Sequence, residues 1–136
     1  MTFLLAILLA ITPGLADAKA ETHPGKRSDL ALANASRALD AARSAYDAGD
    51  VKKAEADIGE VQESVDLSYN SLESSHKRAG RDKYFKRAEI KLREMVRRLT
   101  AFRDSMSVDD RPSVQNAIKR LQKVHDSLLT EIMTER

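Results

Sequence analysis

From Ser28 onward, apolar residues recur three and four positions apart, which is the helical period. The first stripe is Leu32, Ala35, Leu39, Ala42 and Tyr46, opened by Ser28 as an N-cap and closed by Gly49. The second is Val51, Ala54, Ile58, Val61, Val65, Ser68 and Leu72, with Asp50 as its cap. After Gly80 comes a third: Phe85, Ala88, Leu92, Met95, Leu99, Phe102 and Met106. The fourth is Val114, Ala117, Leu121, Val124 and Leu128, widened by Ile118 and Ile132, with Pro112 tolerated in its first turn. No strand alternation interrupts them. The pattern predicts helices over about 29–48, 51–78, 82–106 and 110–134. Each has one apolar face, and the connections are short, so the faces bury most simply against one another. The expected fold is all-α, an up-down antiparallel four-helix bundle.

The 136 residues suit one domain, and the absence of Cys excludes disulfides, thiolate metal sites and Cys nucleophiles. Residues 3–11 (FLLAILLAI) form an unbroken apolar run, too short for the roughly 20 residues that a membrane span needs. Followed by Pro13-Gly14 and small residues at alternate positions, the run reads as a signal peptide over 1–20, although its start lacks Lys or Arg. Cleavage after Ala20 or after Ala18 fits the small-x-small rule. The expected location is therefore periplasmic or extracellular. Residues 21–27, with Pro24-Gly25 and no periodicity, read as a flexible lead-in to a single helical domain over 28–136.

Charge is distributed unevenly. Between Lys77 and Arg103 eleven Lys/Arg face only Asp82, Glu89 and Glu94, a local charge of +8 in a chain of net +2. Between Asp40 and Glu73 nine acids meet only Arg43, Lys52 and Lys53, a local charge of −6. An acidic second helix followed by a basic third suggests that the two pair along their flanks. At 100° per residue, Ile90 points away from the third stripe, among Lys83, Lys86, Arg87, Glu94 and Arg97.

Gly49-Asp50-Val51-Lys52-Lys53-Ala54 resembles the middle of a tetratricopeptide repeat, in which a Gly closes the first helix and a small Ala sits at the helix crossing. The family's period is 34 residues, and VKKAE at 51–55 returns as FKRAE at 85–89. The second copy lacks the Gly-Asp turn, and the usual Pro after the second helix is missing. The resemblance covers about one hairpin and implies an interaction scaffold, with two stacked tetratricopeptide-like hairpins as the alternative fold. Leu99-Thr100-Ala101-Phe102-Arg103 is similar to the Leu-Thr-x-x-Gln motif of periplasmic helical chaperones. It carries Arg in place of Gln and has no second copy, so no chaperone role is transferred.

Few residues are arranged for chemistry. Glu73 and His76 have the Glu-x-x-His spacing of di-iron bundles, but no second copy exists. His125, between Leu121 and Leu128, reads as a partly buried, hydrogen-bonded core histidine. If cleavage follows Ala20, the chain would begin Glu21-Thr22-His23. Its free amine, two amides and third-residue imidazole make a square-planar nitrogen set suited to Cu(II) or Ni(II). No nucleophile–base arrangement or phosphate-cradling loop is present, so no enzyme activity and no cofactor are expected. The expected function is that of an exported interaction or structural module of the cell envelope, its partner another envelope protein. The alternative is a polyanion, anionic glycan or membrane surface bound through the basic helix. The residues assigned to either role are Lys83, Lys86, Arg87, Ile90, Arg97 and Arg98. Export, and the few aromatics near them, argue against nucleic acid.

Overall fold

A computed structural model describes residues 14–134, and every regular element among them is helical. The elements are α1 (Leu15–Ala20), α2 (Pro24–Asp47), α3 (Val51–Ser74), α4 (Lys83–Ser105), a single 3₁₀ turn (Val108–Asp110) and α5 (Pro112–Thr134). Four of them carry the four apolar stripes. The fifth, α1, was not expected. It is closed at its start by the Gly14 N–H, which donates to Asp17 Oδ2 at 2.9 Å, and it buries Ala18 against α2. Both proposed cleavage points fall in this short helix. The apolar run at 3–11 lies outside the described residues.

The segment expected as a flexible lead-in is the structured entry to α2. Pro24 takes the first helical position, where its missing N–H costs nothing. His23 is the N-cap, its Nδ1 accepting from the Lys26 N–H at 3.1 Å. Ser28, read as the cap, is instead buried one turn inside, its Oγ 2.7 Å from Ser68 Oγ of α3. At the other end of the hairpin, Gly49 takes φ 83°, and Asp50 Oδ1 accepts from the Lys53 N–H at 3.1 Å to start α3.

α3 stops at Ser74, short of the expected 78. The hydroxyls of Ser71, Ser74 and Ser75 turn back to the carbonyls of Leu67, Ser71 and Leu72, and His76 follows at φ 54°. Serine side chains that bond their own backbone compete with helix continuation, and a left-handed residue ends it. α5 likewise starts at Pro112 instead of 110, because residues 108–110 form the 3₁₀ turn.

The long helices pack in four main pairs. α2 lies on α3 and α4 on α5, each a hairpin; across the hairpins α2 lies on α4 and α3 on α5. α3 and α4 meet only marginally. The expected flank pairing of acidic α3 with basic α4 is therefore absent. The cations of α4 instead reach α2, through Arg87–Asp29 at 3.0 Å and Arg98–Asp40. Arg120 of α5 meets Asp66 of α3 at 2.8 Å. These links make α2 and α4 parallel neighbours, aligned 58 residues apart.

The α2–α3 pair is the most extensive, for a reason visible in its composition. α2 buries Ala31, Ala35, Ala38, Ala42 and Ala45, and α3 buries Ala54, Ser64, Ser68 and Ser71. Small side chains let two backbones approach. The polar atoms enclosed there satisfy one another: Asn34 Nδ2 donates to Ser64 Oγ at 2.9 Å, and Arg27 Nε donates to Ser71 Oγ at 2.7 Å. The larger residues of the core, Ile58, Leu39, Leu92, Met95, Leu99, Phe102, Leu121 and Leu128, fill the space between hairpins. Tyr46 clamps the far end. Its hydroxyl donates to Asp110 Oδ2 at 3.0 Å and accepts from the Ser107 N–H at 3.0 Å, while its ring edge meets Phe102.

Candidate interaction surface

The outer face of α4 follows from its start and its core. Asp82 Oδ1 accepts from the N–H groups of Tyr84 and Phe85 at 2.8 and 3.3 Å, fixing the first turn. Phe85, Ala88, Leu92, Met95, Leu99 and Phe102 then point inward, so the residues midway between them are displayed. Ile90 is 54% exposed, as the helical wheel predicts. Lys83, Lys86 and Arg97 are exposed beside it and form no ion pair among the described residues.

Arg87 and Arg98 are placed differently from the other four. Arg87 holds Asp29 of α2, its guanidinium 5.5 Å from the Tyr84 ring centre, with Lys83 Nζ over the same ring at 5.2 Å. Arg98 is only half-exposed, donating from Nη1 to Ser36 Oγ at 2.9 Å and pairing with Asp40. Both act as braces between α2 and α4, each such pair contributing little to stability, about 0–1 kcal/mol. Four of the six residues singled out in the sequence therefore remain displayed.

The braces frame a groove of about 360 Å³ between α2 and α4, lined by Asp29, Leu32, Ala33, Arg87, Ile90 and Lys91. Its α2 wall was not legible in the sequence, because nothing local signals that two helices 58 residues apart run side by side. Ala33 also borders a second, mostly apolar groove of about 280 Å³, shared with Leu30, Asn34, Arg37 and with Asp17 and Ala18 of α1. Leu30, 37% exposed, continues the apolar strip along α2.

Glu21, Thr22 and His23 lie at the junction of α1 and α2. The His23 N–H donates to Glu21 Oε1 at 3.1 Å, and its ring lies 5.6 Å from that of Tyr84. Its Nδ1 is the cap acceptor of α2. A third-residue imidazole closes a six-membered chelate through Nδ1, so metal held there would take that atom from the cap. Among the described residues no group of three or more His, Asp or Glu could hold a metal ion. Glu73 and His76 do not share a helix face, because α3 has ended before His76.

His125 is partly buried and hydrogen-bonded, as its place in the stripe implies: Nε2 lies 3.0 Å from Glu89 Oε1, across the α4–α5 pair. Glu89 also meets Arg93 at 3.4 Å. No helix among the described residues is long and apolar enough to cross a membrane. No known protein family, curated protein or solved structure matches this chain.

Proposed function

We propose that this chain is a non-enzymatic protein of the cell envelope that binds another protein through the α2–α4 face centred on Ile90. The observation that carries the reading is Ile90 itself, a β-branched aliphatic left 54% exposed at the edge of a groove and surrounded by unpaired cations. A lone exposed aliphatic is ordinary on a protein surface. One that continues into a groove floored by Leu32 and Ala33 has the make-up of a contact patch, with an apolar centre and a charged rim. The assignment to the envelope rests on the apolar run at 3–11 and the small residues that follow it.

In architecture, the reading is two antiparallel hairpins stacked side by side in preference to an up-down bundle whose sequence neighbours are all adjacent. The slight meeting of α3 with α4, and the parallel pairs α2–α4 and α3–α5, support it. Stacked hairpins of this kind are what a tetratricopeptide-like scaffold would use. Here the structural spacing is 58, whereas the VKKAE/FKRAE echo at 34 joins the starts of α3 and α4.

A photo-crosslinking amino acid in place of Ile90, with a second variant carrying it at exposed Gln122 on α5, tests the reading in the producing cell. A discrete adduct at position 90 and none at 122 is expected. Equal labelling at both positions, or none at 90, overturns it.

A second reading, the binding of a polyanion or an anionic surface, is favoured by Lys83, Lys86 and Arg97, which lack ion-pair partners among the described residues. Lys77, Arg78 and Arg81 extend the positive charge along the preceding connection.

A further inference from the structure

Resting on the protein-binding reading, we infer that the partner segment is an acidic amphipathic helix lying along the α2–α4 groove. Three observations lead there. The first is shape. α2 and α4 are parallel and braced at two levels, by Arg87–Asp29 near their starts and by Arg98–Asp40 about three turns on. At the first brace they leave a groove about one helical turn long, lined by residues 29–33 and 87–91, and a groove between two parallel helices accepts a third helix lengthwise, its anchors spaced three and four residues apart.

The second is the division of chemistry across the groove. Its floor is apolar, made by Leu32 and Ala33, with Ile90 at the edge. Its α4 border is cationic, with Lys83, Lys86, Lys91 and Arg97 free of ion pairs among the described residues and Glu94 the one acid on that face. Asp29, the acid on the α2 side, is already neutralised by Arg87. A partner with carboxylates flanking an apolar stripe meets complementary charge on α4 and buries Ile90. A basic or neutral helix would gain only the second term.

The third is a precedent within the chain. α1 packs on α2 beside this face, burying Ala18, and its Asp17 and Ala18 form one wall of the neighbouring groove opposite Leu30 and Ala33. Ala33 belongs to both grooves, so the surface that α1 packs on adjoins the α2–α4 groove. The α2 surface beside the groove thus already carries a small helical segment, whose Asp17 caps its own first turn.

The test uses a fluorescein-labelled designed helix with leucines on one face and glutamates on the other. It is compared with a scrambled peptide of identical composition and with vesicles containing phosphatidylglycerol. Titrated against the full chain by fluorescence anisotropy, the designed helix is expected to bind at least about tenfold more tightly than the scrambled one. Ile90→Ser should remove most of that difference. Lys91→Gln should weaken binding severalfold and reduce its dependence on salt. Circular dichroism checks that both variants stay folded, which the exposure of Ile90 and the partial exposure of Lys91 favour. The inference is overturned if the designed helix does not bind, if the scrambled peptide binds equally, if Ile90→Ser leaves affinity unchanged, or if only the vesicles are bound. An adduct at position 90 in the cell, together with failure of the designed helix, would overturn this inference while leaving the protein-binding reading in place.

Discussion

Gly25 of α2 lies directly under the ring of Tyr84 of α4: a Cβ added there would meet Cδ2 at 2.2 Å and Cγ at 2.6 Å. The contact sets how closely the parallel pair begins. Gly25→Ala must displace the ring or part the helices, and is expected to cost about 1–3 kcal/mol, the usual scale of overpacking. Tyr84→Ala in that background should add less than it does alone, because the clash is then gone. Gly59 is the control. It is exposed within α3 with nothing near its missing Cβ, so Gly59→Ala should stabilise by about 0.5–1 kcal/mol. Urea denaturation of the four variants measures all of this.

The buried Asn34–Ser64 bond at 2.9 Å makes a second expectation. Asn34 Oδ1 also accepts from Arg37 Nη2 at 2.8 Å, and Arg37 continues to Glu60 at 2.9 Å. Asn34→Ala leaves the Ser64 hydroxyl enclosed without its partner and should cost about 1–3 kcal/mol. The double variant with Ser64→Ala should be less destabilised than the sum of the two single changes. Strict additivity in chemical denaturation would show that the network is not coupled.

Alkaline stability should report on Tyr69. Burial pushes its phenol above the ordinary value, and the nearby carboxylates of Glu131 and Glu73 push the same way. The native state then holds the proton longer than the unfolded chain does. Its contribution is fully present below about pH 10, the unfolded value, and is lost as pH rises through the higher native one. Thermal scans from neutral to strongly alkaline pH should therefore show a shallower decline for Tyr69→Phe than for the parent.

Anion binding can be separated from bracing because the structure sorts the cations. Replacing Lys83, Lys86 and Arg97 with Gln removes displayed charge and leaves the Arg87 and Arg98 braces in place. If the polyanion reading holds, the parent should be retained on heparin in a salt-sensitive way and the triple variant should elute at markedly lower salt, with little change in melting temperature. A parent that flows straight through at low salt ends that reading.

Copper chemistry at Glu21-Thr22-His23 depends on processing. A chain whose first residue is Glu21 should show a visible d–d band with one equivalent of Cu(II), and His23→Ala should abolish it. Because Nδ1 also caps α2, loading the metal should loosen the first turn, a cap contributing about 0.5–2 kcal/mol. Mass spectrometry of the mature protein decides whether that terminus exists.

Much of this molecule could be read along the chain. The stripes named inward residues on all four long helices, Phe102 and Leu121 among them, because helical periodicity is a local property and burial follows it; they missed Ala31, Ala38 and Ala45 of α2 and Ser64 and Ser71 of α3, which the close α2–α3 contact buries. The same wheel put Ile90 outside, and the flanking stripe put His125 at a half-buried seat. Helix ends were read less well. Pro24-Gly25 looked like a break and is a first turn, because a histidine cap and a tyrosine ring from another helix make it one. The serines closing α3 hide their role until their hydroxyls are seen returning to the backbone.

What only the tertiary structure decided is which helix lies beside which. Opposite charge on consecutive segments suggested that α3 and α4 would pair, yet surface ion pairs are too weak to choose a topology. The choice follows the burial of apolar faces and the close fit of an alanine-rich α2 on a serine-bearing α3, whose enclosed hydroxyls bond across the interface. That packing leaves α2 open to α4, sets Arg87 and Arg98 as braces across to Asp29 and Asp40, and creates the groove beside Ile90. The sequence by itself determined the helices and the faces they bury. The surface they present depends on contacts between residues far apart in the chain, which no local pattern encodes.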